Sequence, residues 1–252
     1  WQATPVLAGD NLVICTPFNR IIAINAATGE QQWSYTPDIN LDDYAMPRCR
    51  GVTQWQHPDN SSNDACHSII IAPLMNAKVI GLDAHTGQRC HFGAVAEINL
   101  REGLRPHAPG DYTLNTPPAI LGNLLITGAA VADNISVDVP SGVVRAYDLL
   151  TGQLTWAWDP VPPSAEDRAS QDSAEAQALV TSEDGAAATA HIQGKAGPYQ
   201  PGTSNVWSFI SVDEKLNRVY VPTGNTSPDY YGGHRNGSDF YSSSVVALEA
   251  NT

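Results

Sequence analysis

The phrase IIAINAATGEQQW at 21–33 returns, with variation, as VIGLDAHTGQRC at 79–90, VVRAYDLLTGQLTW at 143–156 and VVALEANT at 245–252. A phrase repeated at this interval sets the architecture, because each copy is one supersecondary unit that needs neighbours to bury its face. Each begins with an apolar run, passes through Asp, Asn or Ala to Thr-Gly where the chain continues, and often ends on an aromatic residue. This pattern predicts strand, tight turn, strand, with Gly29, Gly87 and Gly152 supplying the positive φ of the turn. Taking Ile24, Leu82, Tyr147 and Leu248 as equivalent, the spacings are 58, 65 and 101 residues. The first two suit a four-stranded propeller blade with long loops; the third requires an insertion.

Working outward, strand patterning is read at 3–8, 11–16, 21–26, 31–35, 49–55, 68–73, 78–83 and 88–92. It continues at 112–121, 123–129, 143–148, 153–158, 205–212, 218–224 and 242–250. Residues 161–198 break the pattern. They are rich in Ala, Ser, Asp, Glu and Gln and read as a polar surface insertion, with one short helix near 173–181. The fold expected is all-β: a β-propeller of four-stranded blades, with about four blades of an expected eight in residues 1–252. A β-sandwich is the alternative, but it leaves the recurring Thr-Gly-x-x-x-Trp phrase without a purpose.

Composition narrows the function. A net charge of −13 argues against nucleic acid and against an anionic membrane surface. No run reaches the length of about 18 apolar residues that a spanning helix needs. The chain opens on Trp1 without a charged leader and stops inside the fourth copy of its phrase, so it is expected to be part of a longer protein. Four cysteines carry no metal-like spacing. Cys15, in the apolar strand LVICT, reads as a buried free thiol, and one disulfide is expected among Cys49, Cys66 and Cys90. The seven histidines show no ligand-like clustering, and there is neither a Ser-His-Asp arrangement nor a Gly-rich phosphate cradle.

Between the repeats stand TPVLAGDNLVICTP (4–17), CRGV (49–52), GDYT (110–113), VADN (131–134) and PSGVVRAYDLLTGQLTWAWDP (140–160). PGTSNVWSFISVDEKLNRVYVPTGNTSPDYYGGHR (201–235) follows. In this order, and with AxDAxTGxxxW as the repeated motif, the chain resembles the pyrroloquinoline quinone (PQQ) dehydrogenases, eight-bladed propellers, in their membrane-bound glucose and polyol branch. The resemblance covers nearly all of the chain except the insertion.

Several residues acquire expected roles from it. Arg50 offers a planar five-donor fork suited to the carboxylates of a tricarboxylic quinone, though an ordinary surface ion pair is the plainer reading of an arginine there. Asp133 and Asn134 present hard oxygen ligands for Ca2+ or Mg2+, with Asn134 also beside the cofactor; Asp-Asn is equally a common turn dipeptide. Trp207 matches the tryptophan on which the quinone stacks, with blade packing as its competing role. Thr226 and Ser227 lie in a loop where hydroxyls can bond quinone oxygens or simply make a turn before Pro228. Trp33, Trp156 and Trp158 belong to the repeat and read as structural.

The resemblance implies oxidation of a sugar or polyol on the periplasmic side of the bacterial inner membrane, with electrons passing to ubiquinone. The family's general-base Asp and quinone-contacting Lys are expected beyond Thr252, so no catalytic residue is assigned here and the isolated chain is expected to be inactive. Met46 stands where the family has a histidine. A non-catalytic propeller scaffold of the outer-membrane assembly type is the alternative, and the ordered presence of CRGV, VADN and TSNVW is what argues against it.

Overall fold

The computed structural model describes residues 2–59, 64–134, 136–160, 203–231 and 241–251. The first sheet comprises β1 (Val6–Ala8), β2 (Asn11–Cys15), β3 (Ile21–Asn25) and β4 (Gln31–Tyr35), hydrogen-bonded in that order. The second holds β5 (Thr53–Gln56), β6 (Ser68–Leu74), β7 (Lys78–Asp83) and β8 (Arg89–Cys90), with β9 (Ile98–Asn99) adding to β7. A short ribbon pairs β10 (Tyr112–Thr113) with β13 (Ala130–Val131). The third sheet is β11 (Ala119–Leu121), β12 (Leu124–Thr127), β14 (Val144–Asp148) and β15 (Leu154–Trp158). The fourth is β16 (Ser211–Asp213), β17 (Arg218–Pro222) and β18 (Val245–Glu249). All these pairings are antiparallel, and no α-helix occurs among the described residues.

The sheets follow one another as propeller blades. Their first strands touch in sequence, β1 with β5, β5 with β11 and β11 with β16, which puts them around one axis. The core is three apolar layers, one per seam. Alternate residues of β6 face opposite seams: Ile70, Ala72 and Leu74 pack on blade 1, whereas Ile69 and Ile71 pack on blade 3. A strand buried on both faces needs an unbroken apolar run, and SIIIAPL provides one. The third seam joins Ile126, Val144 and Ala146 to Val219 and Val221.

The repeated phrase folds the same way in each complete copy. Ile24, Leu82, Tyr147 and Leu248 all lie on the third strand of their sheet. The Asx residue then caps the turn with its own side chain. Asn25 Oδ1 accepts from the amides of Ala27 and Thr28, Asp83 Oδ1 from those of His85 and Thr86, and Asp148 Oδ1 from that of Thr151. Gly29, Gly87 and Gly152 close the turns at φ of 75°, 71° and 73°.

At the seams, Trp33 donates from Nε1 to the carbonyl of Ala84 at 3.0 Å, and Trp156 donates to that of Ala250 at 2.7 Å. The middle seam departs from the expectation of an aromatic docked at the same place in every blade. There the turn at Phe92–Val95 abuts the backbone of Gly152, and Phe92 is buried in the core instead.

Three further differences have physical causes. Cys15 pairs with Cys49 and Cys66 with Cys90, so Cys15 is not a free thiol and two bridges form. The strand expected at 112–121 is interrupted at 114–118, where Pro117 and Pro118 cannot donate to a ladder. The strand expected at 205–212 begins only at Ser211, because carbonyls upstream are taken elsewhere: that of Asn205 by the amide of Gly224, that of Trp207 by two side chains. The insertion at 161–198 and the helix expected at 173–181 lie outside the described residues.

Candidate functional site

Near the axis, the segments that lead into the blades carry polar side chains instead of core. Cys49–Val52 enters blade 2 as an extended stretch, with the Arg50 amide bonded to the Asn115 carbonyl at 2.7 Å. The Cys15–Cys49 bridge anchors this stretch to β2, one residue before Arg50. Arg50 is partly buried. Its Nη1 donates to Asn115 Oδ1, to Thr116 Oγ1 at 3.3 Å and to the Trp207 carbonyl at 3.1 Å. Thr116 Oγ1 donates to the same carbonyl at 2.6 Å. The guanidinium carbon lies 5.2 Å from the centroid of the Trp207 ring, a cation–π distance. Burial and the neighbouring Arg48 both lower the Arg50 pKa from its usual value.

On the opposite wall, Asp133 follows β13. Its Oδ2 accepts from Asn205 Nδ2 at 2.7 Å, and its carbonyl accepts from the Asp229 amide at 2.8 Å. Burial pushes the Asp133 carboxyl above the usual aspartate value; the Asn205 hydrogen bond opposes this and the charge of Asp229 adds to it. Between the walls lies a cleft of about 270 Å3 lined by Arg48, Arg50, Asp133, Asn205, Trp207 and Asp229. It shares Arg48 and Asp133 with a second cavity of about 230 Å3, bounded also by Tyr44, Met46, Met75 and Asn134.

Thus Arg50, Asp133 and Trp207 come together in one cleft, and Asn134 borders the adjoining cavity. Trp207 remains 44 % exposed while its backbone is fixed, so its ring is available to a ligand. Thr226 and Ser227 do not line the cleft. Both are fully buried behind it, where Ser204 and Thr226 share a 3.0 Å hydroxyl contact and Ser227 Oγ accepts from the Thr203 amide. They brace the 203–207 segment that carries Trp207, in place of the direct cofactor contact expected of them. Gly142 allows that segment to approach, since a Cβ there would lie 2.1 Å from the Ser204 carbonyl oxygen.

Asn115, Thr116, Asn205, Asp229 and Arg48 escaped the sequence reading. Two signals were available: Arg48 stands two residues before Arg50, hence on the same face of an extended chain, and Asn115-Thr116 is a polar pair inside an apolar stretch. Asn205 and Asp229 gave none, since their roles come only from tertiary contact. The histidines form no ligand-like cluster among the described residues, as expected. His57, His67 and His91 border one cavity of about 340 Å3 beside the Cys66–Cys90 bridge, though their ring nitrogens do not converge on a common point.

The Arg50 fork, a partly open indole plane and a carboxylate next to amide oxygens fit a planar polyacid together with a hard divalent cation. Asn205 Oδ1 and Arg48 Nε are buried without a protein partner, which leaves polar capacity for a ligand.

The family model described as "Glucose/ethanol/alcohol dehydrogenase, beta-propeller domain", of the PQQ type, matches residues 1–252. The chain is 30 % identical over 269 residues to the quinate/shikimate dehydrogenase (quinone) of Acinetobacter baylyi, covering all of this chain and 30 % of that protein. It is 32 % identical over 256 residues to the glycerol dehydrogenase large subunit of Gluconobacter oxydans, covering all of this chain and 31 % of the other. It therefore spans about a third of the length of these curated relatives. Among solved structures, the quinohemoprotein alcohol dehydrogenase of Comamonas testosteroni superposes with a TM-score of 0.71 at 23 % identity, over 100 % of this chain and 33 % of that one.

Proposed function

This chain belongs to the PQQ-type glucose/ethanol/alcohol dehydrogenase β-propeller family, and from that premise we propose that its blades hold the cofactor of a sugar- or polyol-oxidising dehydrogenase. The observation that carries this reading is the convergence of Arg50, Trp207 and Asp133 on one cleft, from three separated stretches of sequence. PQQ, when bound, supplies two-electron oxidation of a CH–OH group. Trp207 gives the ring plane against which it stacks, and Arg50 gives the donor fork for its acidic oxygens. Asn115 and Thr116 keep that fork aimed by holding Nη1, while its other edge faces no protein partner among the described residues. Asp133 and Asn134 supply oxygen ligands for Ca2+ or Mg2+, and Asn205 orients the Asp133 carboxylate. Thr226 and Ser227 keep the Trp207 segment in place.

The base that takes the hydroxyl proton lies, in this reading, outside these residues. The electron acceptor is a membrane quinone such as ubiquinone; the name of the Acinetobacter baylyi relative, a dehydrogenase "(quinone)", supports that class. A periplasmic location agrees with two formed disulfides, which persist in oxidising compartments.

The test is reconstitution of the whole enzyme containing these blades with PQQ and either Ca2+ or Mg2+. Dye-linked oxidation is then assayed with glucose, other sugars, polyols and quinate. Substrate-dependent dye reduction is expected, together with a change in quinone absorbance on binding. Absence of both defeats the proposal.

A further inference from the structure

Arg48 stands apart from the other arginines. Each of those, among the described residues, donates to a named oxygen or ring nitrogen: Arg20 to Ser34, Arg50 to Asn115, Arg89 to the Ala96 carbonyl, Arg101 to His107, Arg105 to Asp138 and Arg145 to the Leu100 carbonyl. Arg218 pairs with Glu249. Among the described residues Arg48 has no hydrogen bond and no ion pair, and its Nε is buried without a partner. Yet it belongs to a chain of net charge −13, in which carboxylates are plentiful. Asp133 and Asp229 border the same cleft, but neither forms an ion pair with it. A half-buried guanidinium without an anion is costly, and the cost falls when a carboxylate meets its planar fork.

The place of Arg48 indicates which carboxylate that is. It lines the cleft with Arg50 and Trp207, the adjoining cavity with Tyr44, Met46 and Met75, and a third of about 230 Å3 with Pro17, Pro47 and Cys49. In the cavity with Tyr44 and Met75 it is the only basic lining residue, Asp133 the only acidic one, and the rest is chiefly apolar. Met46, 66 % exposed there, offers no hydrogen-bond donor. A cation beside apolar walls, one step from the stacking plane, suits a small carbon skeleton that bears one carboxylate and several hydroxyls.

We propose that Arg48 is a specificity-determining residue that reads the carboxylate of a polyhydroxy acid substrate and favours it over neutral sugars and polyols. The proposal rests on the dehydrogenase reading of the cleft, and the experiment separates the two. Whole enzyme is prepared as wild type, Arg48→Gln and Arg48→Lys, with thermal unfolding as a check that each is folded. Binding of quinate, of its neutral methyl ester and of PQQ is measured by calorimetry, alongside turnover of quinate and glycerol.

Wild type is expected to bind quinate at least about tenfold more tightly than the ester, as a charge-assisted hydrogen bond gives. Arg48→Gln is expected to lose about 10- to 100-fold in quinate affinity with ester and PQQ binding unchanged, and Arg48→Lys to fall between. Equal binding of acid and ester by wild type overturns the proposal, as does undiminished quinate binding by Arg48→Gln. A loss of PQQ affinity in place of quinate affinity overturns it too, since the carboxylate read is then the cofactor's. If no form binds PQQ or turns over any substrate, the dehydrogenase reading fails by itself. The contrast between acid and ester binding still decides the role of Arg48.

Discussion

At the residue scale, a single guanidinium nitrogen of Arg50 holds three oxygens from two distant segments, and Thr116 doubles the tie by donating to the same Trp207 carbonyl. Thr116→Val removes that hydroxyl while keeping the shape. It is expected to lower stability by about 1–2 kcal/mol, read as a shifted denaturant midpoint, and to weaken PQQ binding in the whole enzyme. Asp83 makes a different prediction. Burial alone would raise its pKa, but hydrogen bonds from the amides of Cys66, Thr86 and His85 and from the Thr86 hydroxyl outweigh it and hold the carboxyl below the ordinary 3.8. A depressed carboxyl stabilises the fold above its unfolded-state pKa and loses that contribution as pH falls through the folded value. Asp83→Asn is therefore expected to flatten the acid limb of a stability–pH curve; an unchanged limb would show that other carboxylates govern it. Arg50, Asp133 and Trp207, which share one cleft, could be singled out as candidates because each sits in a recognisable short phrase. Sequence could not reveal Asn205, whose partner Asp133 lies 72 residues away, since nothing local to TSNVW encodes that contact.

At the element scale, the same Thr-Gly turn carries different loads in different blades. A Cβ on Gly87 would sit 2.6 Å from the Trp33 ring, at a φ of 71° that already disfavours any side chain; a Cβ on Gly29 would meet nothing within 4 Å. Gly87→Ala is thus expected to lower stability by about 2–4 kcal/mol and Gly29→Ala by only about 1 kcal/mol, as measured by denaturant unfolding. Equal losses would mean that the docked indole is not the constraint. The blades and their turns were legible because the period-two pattern and the glycines repeat. The docking of the middle seam was not. VIGLDAHTGQRC lacks the tryptophan, and the sequence does not say that the backbone at Phe92–Val95 fills that space. The failure at 205–210 has the same origin. Val206, Trp207, Phe209 and Ile210 are strand-formers, but the carbonyls of Asn205 and Trp207 are taken by the Gly224 amide and by the Arg50 and Thr116 side chains.

At the scale of the molecule, one of the two disulfides fastens neighbouring blades, beside the apolar packing and the indole hydrogen bonds of the seams. Cys15–Cys49 spans 34 residues and joins blade 1 to the entry of blade 2, while Cys66–Cys90 spans 24 residues within blade 2. Loop closure of these lengths contributes roughly 3.5 kcal/mol each. Reduction is expected to lower the Tm, and Cys15→Ala with Cys49→Ala should also reduce PQQ affinity because Arg50 is the next residue. Unaltered affinity would show that the bridge serves stability alone. Pairing was not legible because spacing along a chain does not encode which sulfurs meet. The links from Arg50 run from the entry of blade 2 to Asn115 and Thr116 ahead of blade 3 and to the Trp207 carbonyl ahead of blade 4, a chord that ties three blades together. Mechanically, such a chord is a tie-rod at the hub. Thermal breathing is left to the rim, where blades can fan about a fixed centre, and a ligand seated at the hub departs along the axis instead of through a parted seam. Amide exchange should accordingly be slower in β11, beneath the tie-rod, than in β15 at the edge of the same sheet; the reverse order would place the soft point at the hub.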